Sequence, residues 1–226
     1  PRSTPKPSSA ASDVYKRQLG GATISLAKNH HAGHVDALDV DDNLIRRASE
    51  LIETANLNDR ITLKQINGGP LPYASNQFDV VYLTATSCHL QDLDGLFSEI
   101  YRVLRYGGWL VGGEWFKAAN NIAYRDWDSL LRERGLNFYF VYRSWFEVNL
   151  SKSGFGSVSV TDRTQATTDL ARGYLERVKT ELKDTLRTRL GNKELEAFLS
   201  WTRGRYEAFA RGGMAYGHFR ARKAET

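Results

Sequence analysis

Cysteine, methionine and proline are all scarce in this chain, with one Cys, one Met and five Pro among 226 residues. The lone Cys88 excludes an internal disulfide framework. No apolar run approaches the ~20 residues that a membrane-spanning helix needs. There is no internal repeat and no Pro-, Gly- or Ser-rich linker dense enough to divide two domains, so the length fits one domain of usual size with an elaboration. A large net charge is missing too. Of the formal +5, Arg2, Lys6, Lys16 and Arg17 against Asp13 supply three from residues 1–18, leaving +2. That is too little to imply a nucleic-acid partner, and no Lys/Arg stripe interleaved with base-stacking aromatics appears.

Residues 1–12 are rich in Pro, Ser and Lys and lack hydrophobic periodicity, while Asp13-Val14-Tyr15-Lys16-Arg17-Gln18 resembles the in-frame translation of a sequencing-library adaptor. Residues 1–18 are therefore expected to be a non-native, disordered start, and residues 19–226 the domain itself. On this reading the true amino terminus is lost, with any targeting segment it carried. With no recognisable export signal at the start, the expected localisation is cytoplasmic.

What is present is an α/β pattern, clearest over residues 71–114. Residues 78–83 form a short apolar run rich in β-branched and aromatic types, as suits a strand buried on both faces of a parallel sheet. Residues 84–92 are then the loop at its carboxyl end, where open α/β sheets bind ligands. Leu93, Leu96, Phe97, Ile100, Val103 and Leu104 repeat at helical spacing, and Gly107-Gly108 is expected to stop that helix before a strand starting at Trp109. Elsewhere the pattern predicts strands over 34–40, 61–65, 157–161 and 216–222. It predicts helices over 43–55, 142–153, 167–190 and 193–210, with Asp41-Asp42 capping the first and Gly191-Asn192 separating the last two. Residues 116–141, alternately polar and aromatic, read as a helical insertion.

Asn76-Gln77-Phe78-Asp79-Val80-Val81-Tyr82 and Arg102-Val103-Leu104-Arg105-Tyr106-Gly107-Gly108 resemble signatures of the class I S-adenosylmethionine-dependent methyltransferases. Leu19-Gly20-Gly21 resembles the tail of that family's Gly-rich cofactor loop. Trp201-Thr202-Arg203, Gly212-Gly213 and the run from Tyr216 to Lys223 are similar to the closing pattern of the phosphoethanolamine N-methyltransferases within it. The resemblance implies a Rossmann-like methyltransferase sheet of order 3-2-1-4-5-7-6, its seventh strand antiparallel, here lacking its first strand. Residues 116–141 and 164–212 would be helical lid and substrate elements. Loss of that central strand leaves two rows of backbone donors and acceptors to be satisfied elsewhere, so low stability is expected.

The same resemblance implies S-adenosylmethionine as cofactor, no metal, and a small-molecule methyl acceptor as partner. Gly20 matches the last glycine of the cofactor loop, where a missing side chain permits close approach. Asp39 matches the ribose-binding acid, although an Asp at a helix entry also serves as a turn residue. Val40 matches the adenine wall, and Asn67, followed by Gly68, stands where the family has an Asp facing the adenine amine; Asn keeps an acceptor oxygen. Thr84 would meet the methionine amino group through its backbone. His89, followed by Leu90 and Asp92, matches a Leu-His-Ile-x-Asp pattern and is the catalytic candidate, since imidazole exchanges protons near neutral pH; a capping His is the alternative. Asp39, Thr84 and His89 are expected at the carboxyl edge of one sheet, beside Gly20.

For the acceptor, Trp115 replaces a pocket-lining Tyr, Arg134 matches a phosphate-binding Arg or is a solvated helix residue, and Tyr142 with Trp115 and Tyr139 suits a methylated ammonium through cation–π contact. The chain departs from the phosphoethanolamine enzymes at Ala85, where they carry an acid, and at Leu136, where they carry a Tyr. Transfer to an amine nitrogen is thus the leading expectation. Transfer to carbon or oxygen of a small lipid or natural product, a dinucleotide oxidoreductase and an inactive methyltransferase fragment are the alternatives.

Overall fold

The computed structural model describes residues 20–30 and 32–225, so the expectation for residues 1–18 lies outside the described residues. The described chain divides into two compact units, one of residues 20–114, Ser144–Val160 and 218–225, the other of Trp115–Arg143 and Thr161–Gly217.

The first unit opens with α1 (Gly21–Asn29), β1 (Val35–Asp39), α2 (Asp42–Thr54) and β2 (Ile61–Gln65). β1 and β2 pair in parallel, Val35 opposite Ile61 and Asp39 opposite Gln65, as a two-stranded sheet. Ala27, Ala32, Val35, Ile52, Leu57 and Ile61 close a small core against it. Arg60 joins the ends by donating to the carbonyls of Ala27 and Ala32, both at 2.7 Å.

β3 (Phe78–Thr84), α3 (Leu93–Val103) and β4 (Leu104–Lys117) follow, then α5 (Arg143–Lys152), β5 (Phe155–Asp162) and β6 (Met214–Lys223). The second sheet has the order β3-β4-β6-β5, with β3 and β4 parallel. β6 runs antiparallel to β4: Gly107 donates to the Ala224 carbonyl, while Gly112, five residues further on, lies against Phe219, five residues back. Read across both sheets, β2-β1 and β3-β4-β6-β5 match the expected order on either side of its first strand, which is not among the described elements. Among the described residues β1 pairs only with β2, and β3 only with β4. Gly112 is required for the close approach of β4 to β3, since a Cβ there would fall on the Leu83 carbonyl oxygen. Phe97, Phe146 and Phe219 pack edge-on in series at 5.2 and 5.1 Å between centroids, joining α3, α5 and β6 in one core.

Three boundaries differ from the sequence-based expectation. Gly107-Gly108 does not stop α3; the helix ends at Val103, and both glycines lie inside β4, where the register shifts from Phe78–Leu104 to Val80–Trp109. The cause is distant in sequence, because the Lys223 ammonium takes up the Tyr101 and Leu104 carbonyls at 2.7 and 2.9 Å. Strand β5 starts at Phe155, earlier than expected, since that ring is buried edge-on against Tyr101.

The third difference lies in the second unit, which contains α4 (Ile122–Glu133), α6 (Thr164–Lys179), α7 (Lys183–Leu190) and α8 (Asn192–Ala210). The single helix expected over 167–190 is two helices. The buried stripe of α6, Ala171, Leu175 and Val178, ends just before Thr180, whose hydroxyl turns back to the Glu176 carbonyl, and α7 buries no residue. Within 116–141 only α4 is helical. It is closed by a Schellman arrangement in which Leu136 donates to Leu131 and Gly135 to Arg132, with Leu136 buried.

Candidate functional site

At the carboxyl end of β1, Asp39 turns the chain into α2. Its Oδ1 accepts from the Asp41 amide at 3.0 Å, and Asp41 in turn accepts from Asn43 and Leu44 as the helix cap. The Ile66 amide donates to the Asp39 carbonyl at 2.9 Å, so Asn67 and Gly68 emerge beside Asp39, exposed. Exposed Val40 completes this end, its carbonyl bonded by Gln65 Nε2 at 3.2 Å. The structure therefore brings Asp39, Val40, Asn67 and Gly68 together. Gly20 precedes α1 in the left-handed region at φ 70°, provides no side-chain cap and packs against Ala48 of α2. Among the described residues no side chain caps the start of α1.

Thr84 ends β3 opposite Gly113, and its Oγ1 is buried without a hydrogen-bond partner among the described residues. Ala85 follows at φ 46°, an unusual conformation for a residue with a Cβ. The chain then makes one turn of 3-10 helix, Ser87–His89, in which the His89 amide donates to the Thr86 carbonyl at 3.1 Å. His89 is half-buried, and Asp92 caps α3 by accepting from Gly95 at 2.8 Å. Asp39 and Thr84 each end a strand that runs parallel to its partner, but the described strands belong to two sheets and not to one.

Sequence reasoning missed Glu114. Buried inside β4, it points one oxygen, Oε2, at three donors of the loop after β3: the Thr86 amide at 3.1 Å, the Ser87 amide at 2.9 Å and the Ser87 hydroxyl at 2.6 Å. A buried carboxylate is tolerated only when so satisfied. The available signal was a lone acid in the otherwise apolar run from Leu110 to Phe116.

Trp115, Arg134 and Tyr142 all belong to the second unit and have separate partners there. Trp115 packs edge-on against Phe209 at 5.3 Å. Arg134 is exposed, bonded to the Ala197 carbonyl and set over the Trp201 ring at 5.5 Å. Tyr142 is exposed and faces the Lys117 ammonium at 5.5 Å, which sits closer still, at 4.2 Å, over Tyr124. Burial, followed by the charge of Asp128, pushes the Tyr124 phenol up. A cavity of about 370 Å³ in the first unit is lined by His34, Asn76, Asp79 and Arg105 at the beginnings of β1 and β3, away from these carboxyl ends. Among the described residues no group of three or more His, Cys, Asp or Glu is placed to hold a metal ion, and no helix is long and apolar enough to cross a membrane.

The chain is 23% identical over 205 residues to phosphoethanolamine N-methyltransferase 1 of Arabidopsis thaliana, covering 91% of this chain and 40% of that protein. It is 33% identical over 97 residues to a sterol 24-C-methyltransferase of Gibberella zeae, covering 43% of this chain and 25% of that one. Its fold is similar to that of Haemonchus contortus phosphoethanolamine N-methyltransferase 2, solved with phosphomonomethylethanolamine and S-adenosylhomocysteine, with TM-score 0.84, 20% identity, and 99% of this chain and 49% of that chain covered. The chain spans less than half the length of each of these relatives. Residues 19–112 match the methyltransferase domain family, and the fold of the chain is that of the S-adenosylmethionine-dependent methyltransferases.

Proposed function

We propose that the chain binds S-adenosylmethionine at the carboxyl ends of β1 and β3 and transfers its methyl group to the amine nitrogen of a small polar molecule of phosphoethanolamine type. The observation that carries this reading is the grouping of Asp39, Val40, Asn67 and Gly68 at one strand end, secured by the Ile66–Asp39 backbone bond. The Thr84 hydroxyl, buried and unpartnered among the described residues, supports the fit, as does the start of α1 after Gly20, which no described side chain caps.

In this reading the Asp39 carboxylate accepts from the ribose hydroxyls, Val40 lies against adenine, and Asn67 offers its amide oxygen to the adenine amine. Gly20 and the α1 amides receive the methionine carboxylate, with the Thr84 backbone at the amino group. The cofactor, when bound, supplies an electrophilic methyl group on its sulfonium. His89 takes a proton from the acceptor ammonium and so frees the nitrogen lone pair. Glu114 fixes the turn that carries His89, and the rate comes chiefly from alignment of the bound partners. Acceptor contacts are assigned to the helical elements within 116–141 and 164–212 together with Trp115, Arg134 and Tyr142.

The match to a sterol 24-C-methyltransferase and the Ala85 departure favour a second reading, transfer to carbon or oxygen of a small lipid or natural product. Labelled methyl donor supplied with phosphoethanolamine, glycine, sarcosine or dimethylethanolamine separates the two. Label on an amine supports the first reading; label on none of these and on a carbon or hydroxyl acceptor replaces it with the second.

A further inference from the structure

Lys117 ends β4, and its ammonium stands over two tyrosine rings at once, 4.2 Å from the centroid of Tyr124 and 5.5 Å from that of Tyr142. All three residues belong to the second unit. The backbone sets this arrangement. The Lys117 amide donates to the Val141 carbonyl at 2.9 Å, and Lys117 bridges Tyr142 in parallel, which holds Tyr142 at the end of β4. Asn121 caps α4 by accepting from the Tyr124 amide at 3.0 Å, which places Tyr124 in the first turn of that helix. Burial, ahead of the Asp128 charge, pushes the Tyr124 phenol up, so this ring is neutral near pH 7 and attracts a cation through its face.

Lys223 also faces two rings, those of Tyr101 and Tyr106, but its ammonium donates in addition to Asn76 Oδ1 and to the Tyr101 and Leu104 carbonyls. Among the described residues the Lys117 ammonium has no such acceptor; ring faces are what it meets. A primary ammonium carries three N–H donors that ring faces do not satisfy, whereas a fully methylated ammonium has the same charge and no donor. The methylated cation therefore suits these two faces better than Lys117 does, and Lys117 regains hydration by swinging its flexible stem into water. Tyr142 is 44% exposed, so the pair of rings opens to solvent. Two cations on the same faces repel, and binding of one expels the other.

We propose that Tyr124 and Tyr142 form a cation site for a small methylated ammonium and that Lys117 is its built-in competitor, so that the site opens only when Lys117 leaves the rings. This deepens the methyl-acceptor reading as a regulation of the contact at Tyr142, and rests on that reading only for the source of the ammonium.

The test is titration of the full chain with tetramethylammonium chloride at constant ionic strength, sodium chloride making up the balance, followed by ligand-observed NMR. Lys117→Met removes the competitor and is expected to bind tetramethylammonium about tenfold more tightly than the wild type. Adding Tyr142→Leu to Lys117→Met is expected to remove that gain. No gain in Lys117→Met, or a gain that survives Tyr142→Leu, overturns the proposal. If Lys117→Met does not fold, unchanged tetramethylammonium affinity on Tyr142→Leu in the otherwise wild-type chain overturns it instead. Phosphoethanolamine carrying three N-methyl groups, titrated into Lys117→Met, separates the sources. Tighter binding than tetramethylammonium ties the site to the acceptor, and equal binding upholds the cation site while counting against the acceptor reading alone.

Discussion

Glu114 Oε2 stands 2.6 Å from the Ser87 hydroxyl, and the same oxygen takes the amides of Thr86 and Ser87. One buried carboxylate of β4 thereby sets the turn that ends in His89. Glu114→Ala leaves these donors unsatisfied in the interior and is expected to cost about 2–4 kcal/mol of stability by chemical denaturation. Glu114→Gln keeps an acceptor oxygen and should cost about 1 kcal/mol. Equal stability of Glu114→Ala and the wild type would show that the turn does not depend on this contact.

His89 follows that turn, and its proposed partner is the acceptor. His89→Ala is expected to lower turnover by about 10²- to 10⁴-fold while S-adenosylhomocysteine affinity changes little. A loss confined to cofactor affinity would place the imidazole on the wrong side of the reaction.

Arg102 grips Glu99 through two nitrogens, at 2.8 and 2.7 Å, and the pair holds the segment before β3: Glu99 accepts from the Leu71 amide, and Arg102 donates to the Leu71 and Tyr73 carbonyls. The hydrogen bond from Arg102 is the main reason the Glu99 carboxyl sits below the usual glutamate range, helped by the Leu71 amide and opposed by burial. A depressed folded-state pKa stabilises fully above the unfolded-state value and is lost as pH falls through the folded-state value. Urea unfolding between about pH 3 and pH 6 should therefore show stability falling with acid, and Glu99→Gln should flatten that fall. An unchanged slope in Glu99→Gln would assign the acid sensitivity to other carboxyls.

Local pattern made much of the fold legible. Residues 61–65 read as a strand and are β2. The apolar spacing of α2 and its Asp41 cap also appear as read. What was not legible depends on distant partners. The end of α3 is set by Lys223, which is 119 residues from Leu104 in sequence and no local signal at Gly107-Gly108 reports it. The break between α6 and α7 falls where buried positions run out, which helical spacing alone does not show. At the site, Asp39 and Thr84 are legible as strand ends from their neighbours in sequence. Glu114 escaped because its role is defined by a loop 27 residues away.

The central claim, a cofactor site built on Asp39, is tested most directly by isothermal titration of the chain and of its Asp39→Ala variant with S-adenosylhomocysteine. The account predicts saturable one-to-one binding by the wild type and binding weaker by about 10- to 100-fold in Asp39→Ala, the loss of a hydrogen bond to a charged group. Equal affinity in the two proteins, or no binding by the folded wild type, would contradict it.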